Sequence, residues 1–266
     1  MKPYYKFTIL GCGSSGGVPR LGNLWGNCDP LEPKNSRLRC SLLVQKFGKF
    51  GVTTVIIDTS PDMRNQLIKA SVGILEGVIY THYHADHVNG IDDLRMVVAN
   101  RKKRLHIWAD CPTQKRLLKC FDYVFEQMKG SAYPPILEMN LIKEKTTIDG
   151  PGGKICFEKI QVNHGNIDAL GFRIGDVVYL PDVLEINETT KKSFLNLKYL
   201  IIDALRYRPH PSHSHLEKTL AWIKEFQPKH AILTNMHNDL DYSTVKLETP
   251  TNVTPAFDGL TFEVLE

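Results

Sequence analysis

The stretch Thr81-His-Tyr-His-Ala-Asp-His87 places three histidines and one carboxylate within six residues. His82 and His84 are two residues apart, so both side chains leave an extended segment on the same side. Asp86 and His87 follow in the turn into the next helix and can reach a second point a few ångströms away. Neutral imidazole and carboxylate are ligands that zinc and manganese ions take. The stretch therefore predicts a metal site rather than a polar surface turn.

Further polar groups follow other predicted strands at the points where those strands end. They are Asp58-Thr-Ser, Asn163-His164, Pro181-Asp182 and Thr234-Asn-Met-His237. Ligands gathered at strand ends are how α/β proteins build a site on a rigid sheet edge. The chain is therefore predicted to be an α/β protein with its site at such an edge.

Runs of β-branched and aromatic residues alternate with helical patterns along the chain. The predicted helices are Pro61–Ala70, Pro112–Met128 and Leu216–Phe226. The predicted strands are Lys6–Leu10, Ser41–Lys46, Val52–Ile57, Gly77–Tyr80, Leu105–Trp108, Lys154–Val162, Gly171–Leu180, Tyr199–Asp203, His230–Leu233 and Thr261–Leu265.

The segment after the first strand, Gly11-Cys-Gly-Ser-Ser-Gly16, matches the G-x-G-x-x-G pattern of dinucleotide-binding folds. That fold needs a helix to start there and an acid at the end of a second strand. The following residues to Arg39 are instead rich in Gly, Pro and Asn, which predicts a long ordered loop. We exclude a dinucleotide-binding fold, although such a loop can still present backbone N–H groups to a phosphate.

The stretch His82-Tyr-His84-Ala-Asp86-His87 resembles the HxHxDH signature of the metallo-β-lactamase fold, and the order of the other strand ends resembles that superfamily over about residues 6–265. The resemblance implies a four-layer αβ/βα sandwich, with two mixed sheets flanked by helices. It also implies a single hydrolase domain over residues 1–266.

The same resemblance implies two divalent metal ions, Zn or Mn, and a set of ligands for them. His82, His84 and His164 are expected to bind the first ion. Asp86, His87 and His237 are expected to bind the second, with Asp182 as the bridge and Asp58 as the buried carboxylate that braces the histidines. The family's last histidine usually stands where this chain has Asn235, so Asn235 and His230 remain alternatives to His237.

Three further segments resemble one branch of the superfamily: Gly11–Pro19, Gly90–Arg95 and Phe257-Asp-Gly. This branch contains a phosphoribosyl cyclic phosphate phosphodiesterase and neighbours the tRNA 3′-processing nucleases. The resemblance implies hydrolysis of a small or cyclic phosphodiester through a metal-bridging hydroxide. That phosphodiesterase holds a structural zinc with closely spaced cysteines. This chain offers only Cys28 and Cys40 in the corresponding loop, so we expect no such zinc.

Three other functional classes remain open at this stage. They are a tRNA 3′-processing nuclease, a thioester or lactam hydrolase of the same fold, and a non-catalytic metal or redox module. The β-lactam and thioester hydrolases of the family share these metals, so the metals alone do not determine the substrate. No basic insertion resembles the tRNA-clamping arm of the nucleases, and the basic run Asn100–Arg104 is interpreted as a solvated turn.

Two residues are predicted to act in catalysis. Asp86 is expected to orient the attacking hydroxide. The spacing of His213 and Leu216 resembles the phosphodiesterase and tRNA-nuclease branches, which implies that His213 contacts the phosphate from outside the metal shell, with His215 as its rival. Ser214 and Glu217 have the spacing of a capping box, which predicts Ser214 as the N-cap of the following helix and His215 at its first position.

The 266 residues carry a formal net charge of +4, which fits an anionic substrate without requiring a nucleic acid. No apolar run approaches the length of a membrane span, and the N-terminus lacks the core of a signal peptide. Six cysteines are scattered without a CxxC pair, which favours reduced thiols. We therefore expect a cytoplasmic protein with a small anionic phosphodiester substrate, with a homodimer left open.

Overall fold

The computed structural model describes residues 2–266. In this range the strands are β1 (Tyr4–Gly11), β2 (Ser41–Gly48), β3 (Gly51–Ile57), β4 (Gly77–Ile79), β5 (Leu105–Ala109), β6 (Leu137–Leu141), β7 (Lys145–Ile148), β8 (Ile155–His164), β9 (Ile167–Ile174), β10 (Val177–Leu180), β11 (Tyr199–Asp203), β12 (His230–Thr234), β13 (Val253–Pro255) and β14 (Thr261–Leu265). The α-helices are α1 (Met63–Lys69), α2 (Ala85–Val88), α3 (Leu94–Arg101), α4 (Cys111–Phe125), α5 (Leu216–Phe226) and α6 (Tyr242–Glu248).

The strands form two seven-stranded sheets with the orders β14-β1-β2-β3-β4-β5-β6 and β13-β12-β11-β10-β9-β8-β7. Both sheets are mixed. In the first, β2 and β3 are antiparallel whereas β3, β4, β5 and β6 run parallel. In the second, β9 and β10 are antiparallel whereas β10 to β13 run parallel. The predicted α/β class with two mixed sheets is confirmed.

The chain divides into two compact units. One comprises the segment ending at Leu10 together with Ser41–Cys156 and Thr261–Glu266, and the other comprises Gly11–Cys40 and Phe157–Leu260. We call them unit 1 and unit 2. In unit 1, apolar side chains of α1, α3 and α4, such as Met63, Val97 and Leu117, are buried with those of the first sheet, such as Ile56 and Val78. The single domain expected from the sequence stays a prediction.

One predicted strand proves to be a hairpin. The segment Gly171–Leu180 is interrupted by Gly175-Asp176, and β9 and β10 pair in antiparallel register around it. Gly175 has a φ of 58°, which glycine adopts without the cost that a Cβ imposes. Two-residue turns with a positive φ match the twist of paired strands, so the Gly-Asp dipeptide was the signal for a turn.

The helix α5 has the predicted bounds, but its predicted N-cap is wrong. His215 is the N-cap residue and makes no capping bond with its side chain. The Ser214 hydroxyl instead donates to the carbonyl of Asp203 and contacts the Thr219 hydroxyl. Burial of Ser214 against β11 therefore prevails over the local capping box.

Hydrogen bonds to the side chains of Asp258 and Arg37 hold the irregular segment Gly11–Cys40. Asp258 accepts from the backbone N–H groups of Leu38, at 2.7 Å, and of Cys12, at 3.2 Å. The buried Arg37 guanidinium donates to the carbonyl of Leu240 at 2.7 Å and to Asn35 Oδ1 at 3.0 Å. These bonds order the segment, which contains a 3₁₀-helical turn at Pro33–Asn35 and otherwise runs as a long loop, as predicted.

No helix among the described residues is long and apolar enough to cross a membrane. Within the same residues, none of the six cysteines is joined to another in a disulfide. Cys28 Sγ donates to the Leu240 carbonyl, and Cys40 Sγ lies 3.6 Å from Thr234 Oγ1.

Replacing Asp241 with alanine should destabilise the protein by about 1 kcal/mol, the usual cost of losing an N-cap. Asp241 caps α6 through Thr244 N and binds the Asn35 amide at 2.6 Å, so it also fastens the loop. Although partial burial opposes it, the bond from Thr244 N and the bond from the Asn35 amide lower the pKa of Asp241 to about 2.

Because the folded-state pKa lies below the unfolded value of about 3.9, this stabilisation is present above that value and is lost as the pH falls toward 2. Urea unfolding of the wild type and of Asp241→Ala at pH 7 and pH 3 would measure it. Asp241→Asn is the matched control, because it keeps an oxygen acceptor but cannot titrate. A wild type and Asp241→Ala of equal stability at pH 7 would contradict the prediction.

Candidate metal centre and catalytic residues

The histidine cluster of unit 1 follows from the parallel register of β3 and β4. Ile57 pairs with Ile79, so the residues after these strands emerge at the same edge of the sheet. The edge thus holds Asp58 from one strand end and the Thr81-His82 segment from the next. The ring centroids of His82 and His84 are 4.5 Å apart, and those of His82 and His87 are 4.3 Å apart. The structure therefore brings the three histidines of the motif together.

Asp58 orients the histidine cluster through hydrogen bonds. Its Oδ2 lies 2.8 Å from His87 Nδ1 and accepts the Thr81 hydroxyl at 2.7 Å, while its Oδ1 accepts Thr81 N at 2.8 Å. Burial raises the pKa of the Asp58 carboxyl, and the His87 imidazole opposes the rise. The carboxylate makes His87 Nδ1 the protonated nitrogen, which leaves the lone pair on Nε2.

The same chain of bonds fixes the tautomer of His82. The Thr81 hydroxyl has one proton and gives it to Asp58, so it accepts from His82 Nδ1 at 3.0 Å. His82 therefore also has its lone pair on Nε2. Histidines that bind metals are held in this way through their other ring nitrogen.

Two backbone positions near the histidine cluster are sterically constrained. Asp58 has a φ of 64°, in the left-handed region that non-glycine residues seldom occupy. A side chain on Gly90, three residues after His87, would overlap the Ser60 carbonyl oxygen, so only glycine fits at this position. Asp86, in the first turn of α2, is 19% exposed, and its Oδ2 lies 3.5 Å from His87 Nε2.

In unit 2 the parallel strands β10, β11 and β12 bring a second set of polar residues to one edge. Leu180 pairs with Ile202, and Asp203 pairs with Thr234, so that Asp182, Asp203 and Asn235 emerge together. His164, at the end of β8, has its Nε2 3.5 Å from Asp182 Oδ2. The Ser212 carbonyl accepts from His164 Nδ1 at 2.6 Å, which again leaves the lone pair on Nε2.

His213 lies in this second set. Its Nδ1 is 2.8 Å from Asp203 Oδ2, and its ring centroid is 4.5 Å from that of His164. Burial raises the pKa of the Asp203 carboxyl to about 6, against the lowering effect of the His213 imidazole. The Asp203 carboxylate holds the proton on Nδ1 of His213 and so fixes the orientation of the ring.

Asp203 is a site residue that the sequence analysis missed. The strand Tyr199–Asp203 was predicted, but its final carboxylate was not singled out. The signal was present, because Ile-Ile-Asp closes β11 as it closes β3 with Asp58. In each unit, an aspartate after a buried strand binds the Nδ1 of a histidine at 2.8 Å.

The possible ligand atoms of His164, Asp182 and His213 lie within 4.8 Å of one another, whereas His237 is not in this group. The His237 Nε2 contacts the Arg20 guanidinium, and its Nδ1 lies 3.2 Å from Asp239 Oδ1. The Asn235 amide donates to the Pro181 carbonyl at 3.1 Å. His230 stacks on Tyr199 at the opposite end of β12. The assignment of His237 to a metal therefore stays a prediction.

The donor sets of both units fit a divalent cation. Unit 1 supplies His82 and His87 with lone pairs on Nε2, and unit 2 supplies His164 in the same tautomer. Each of these three rings is buried, and each has an acceptor at Nδ1. Two neutral imidazoles close to carboxylates are a chemistry that zinc and manganese accept.

Comparison with known proteins agrees with this geometry. A family described as the beta-lactamase superfamily domain matches residues 53–236. The chain belongs to this superfamily, which confirms the resemblance and the fold class expected from the sequence. It thus has the metallo-β-lactamase fold, and this fold implies divalent metal ions.

The chain is similar to one solved structure and to two curated proteins that are described next. The crystal structure of a diphosphatase from the PhnP family is 31% identical, with a TM-score of 0.85, over 98% of this chain and 97% of that one. An octanoyltransferase from Porphyromonas gingivalis is 30% identical over 96% of this chain and 51% of its own length. A ribonuclease Z from Bradyrhizobium diazoefficiens is 29% identical over 53% of this chain and 45% of its own. The chain thus spans about half the length of the curated relatives it matches.

Proposed function

We propose that the chain is a phosphodiesterase that hydrolyses a small or cyclic phosphodiester with two divalent metal ions. The observation that carries the proposal is the His213–Asp203 hydrogen bond beside His164 and Asp182. An alkoxide that leaves a phosphodiester needs a proton, and a histidine held by a buried carboxylate can supply one. A thiolate leaving a thioester needs much less help, because the ordinary pKa of a thiol is about 8.5.

The metal ligands of the proposal are those that the family resemblance implies. His82, His84 and His164 would hold one ion, Asp86, His87 and His237 would hold the other, and Asp182 would contribute to both. When bound, two divalent ions lower the pKa of water and neutralise charge on the phosphoryl oxygens. Asp58 and the Ser212 carbonyl support this arrangement, because each keeps a histidine in the ligating tautomer.

The remaining steps use side chains of this chain. Asp86 orients the attacking water toward phosphorus. His213, protonated on both nitrogens, gives the Nε2 proton to the leaving oxygen while Asp203 stabilises the imidazolium. His215, the earlier rival, is less suited, because it is the N-cap of α5 whereas His213 lies against Asp203 and His164.

A panel of substrates tests the reaction class. With Zn or Mn added, bis(p-nitrophenyl) phosphate should be hydrolysed faster than the monoester p-nitrophenyl phosphate. The reason is that the monoester carries a further negative charge, which makes its phosphorus atom less electrophilic. The panel also contains 2′,3′-cyclic nucleotides, a p-nitrophenyl thioester and a precursor tRNA. Protein treated with chelator and then resupplied with metal is the control.

Each outcome of the panel has a meaning. A metal-loaded enzyme that cleaves the thioester and leaves every diester untouched would overturn the proposal. A second candidate is a tRNA 3′-processing nuclease, which the similarity to ribonuclease Z supports over 53% of this chain. Endonucleolytic cleavage of the precursor tRNA in preference to small diesters would favour this candidate.

A further inference from the structure

The imidazole ring of His237 has a polar partner at each of its two nitrogens. The Arg20 guanidinium contacts Nε2, and Asp239 Oδ1 lies 3.2 Å from Nδ1. A guanidinium has donors and no acceptor, so His237 Nε2 accepts the hydrogen bond and its lone pair points at Arg20. The ring proton is therefore on Nδ1, where the Asp239 carboxylate accepts it. His237 thus has the same tautomer as the three buried histidines of the candidate metal centre.

The loop around Arg20 holds both its backbone and its side-chain stem. Backbone hydrogen bonds join Arg20 and Leu24 in both directions, at 3.0 Å and 3.1 Å. A Cβ on Gly16 would lie 3.3 Å from Cγ and from Nε of Arg20, so the arginine stem passes directly over this glycine. Because the loop sets the path of the stem, less conformational entropy is lost when the guanidinium binds His237.

The group beside Nε2 distinguishes His237 from the buried histidines. His164 Nε2 lies 3.5 Å from Asp182 Oδ2, and a carboxylate also lies 3.5 Å from His87 Nε2. A carboxylate attracts a divalent cation to the neighbouring nitrogen, whereas the guanidinium at His237 repels one. The lone pair of His237 is therefore the least accessible to a metal ion among these three rings.

The arginine has room to leave the histidine. A cavity of about 120 Å³, or roughly four water volumes, adjoins both side chains in unit 2. It is lined by Ser14, Ser15, Arg20, Leu205, Arg206, His210, His213 and His237. Rotation of the Arg20 side chain into this space would release His237 Nε2 without a change in the loop backbone.

We propose that Arg20 competes with the second divalent ion for the Nε2 lone pair of His237, so that the two ions of this chain bind with unequal affinity. The inference rests on the proposed function, which assigns His237 to the second ion. One lone pair cannot serve a guanidinium and a metal ion at the same time. The second ion therefore binds only after it displaces a cationic side chain, and it is the weaker of the two.

This competition makes the second site respond to the concentration of free metal. When the concentration of divalent ions is low, Arg20 keeps His237 and the chain holds one ion. When the concentration rises, mass action displaces the guanidinium and the second ion binds. Because the proposed hydrolysis uses both ions, Arg20 links the activity to the supply of divalent metal.

Calorimetric titration of Mn²⁺ into chelator-treated protein tests the competition apart from activity. The wild type should show a tighter and a weaker binding event. Arg20→Met keeps the stem but cannot donate or repel, so it should tighten the weaker event on the order of 10- to 100-fold, the value of a hydrogen bond to a charged group. Lys224→Met, the same change of charge on α5, should bind like the wild type. A weaker event of equal affinity in wild type and Arg20→Met, or its absence from Arg20→Met, would overturn the proposal.

Two further variants assign the weaker event to His237. His237→Ala should lose this event and keep the tighter one. Asp239→Ala should weaken it by about 10- to 100-fold, the usual effect of removing a group that orients a metal ligand. Circular dichroism checks that each variant is folded. A weaker event that persists in His237→Ala with wild-type affinity would also overturn the proposal.

Activity distinguishes the failure of this inference from the failure of the proposed function. Half-maximal hydrolysis of bis(p-nitrophenyl) phosphate should need less Mn²⁺ in Arg20→Met than in the wild type. If Mn²⁺ binding responds to Arg20 as expected and no phosphodiester is hydrolysed, the proposed function fails and the competition stands. If diesters are hydrolysed and Arg20→Met leaves the weaker event unchanged, the competition fails and the proposed function stands.

Discussion

Asp182→Ala should leave the purified protein with less than its full complement of two divalent ions per chain and without measurable diester hydrolysis. Asp182 is 2% exposed, and its Oδ2 lies 3.5 Å from His164 Nε2. If Asp182 bridges two ions, as proposed, it contributes to both sites at once, so its loss affects both occupancies. His82→Ala should also lose metal and diester hydrolysis, because it removes a proposed ligand whose tautomer the Thr81 hydroxyl fixes.

Elemental analysis of dialysed protein measures the metal content, and circular dichroism checks that each variant is folded. His230→Ala is the matched control, since this histidine stacks on Tyr199 at the start of β12 and should leave metal and activity intact. Full metal content in Asp182→Ala would remove that residue from the bridge.

His213→Ala should keep its metals and lose about 10²–10⁴ in turnover, the usual range for a positioned acid or base. The expectation follows from the bond of 2.8 Å between His213 Nδ1 and Asp203 Oδ2, which holds the ring and stabilises its protonated form. Asp203→Asn should lower turnover in the same direction, because it removes the charge that stabilises the imidazolium.

The leaving group distinguishes two roles for His213. If it protonates the leaving oxygen, the loss in His213→Ala should shrink for p-nitrophenyl esters, whose leaving group needs no proton. An equal loss for p-nitrophenyl and alkyl leaving groups would instead indicate phosphate binding by His213. His215→Ala is the control, and wild-type rates in His213→Ala with an impaired His215→Ala would move the assignment to His215.

The sequence alone determined the features that depend on short-range patterns. Thr81–His87 showed the metal motif because its ligands are adjacent along the chain. Runs of β-branched and aromatic residues located most strands of the two sheets, and helical periodicity located the bounds of α5. Failures at this level have local causes, such as the overlooked Gly175-Asp176 turn and the short strands β6, β7 and β13, whose few residues carry little periodicity.

Only the tertiary structure decided which distant residues meet. Parallel pairing of β11 with its neighbours placed Asp203 against His213, and burial of Ser214 overrode the capping pattern read from Ser214 and Glu217. A small cavity in unit 2 joins Ser14 and Arg20 with Arg206 and His213, almost two hundred positions later, although no spacing in the sequence connects them. Such contacts follow from strand order and loop packing, which depend on the free energy of the whole chain rather than on the pattern of any one segment.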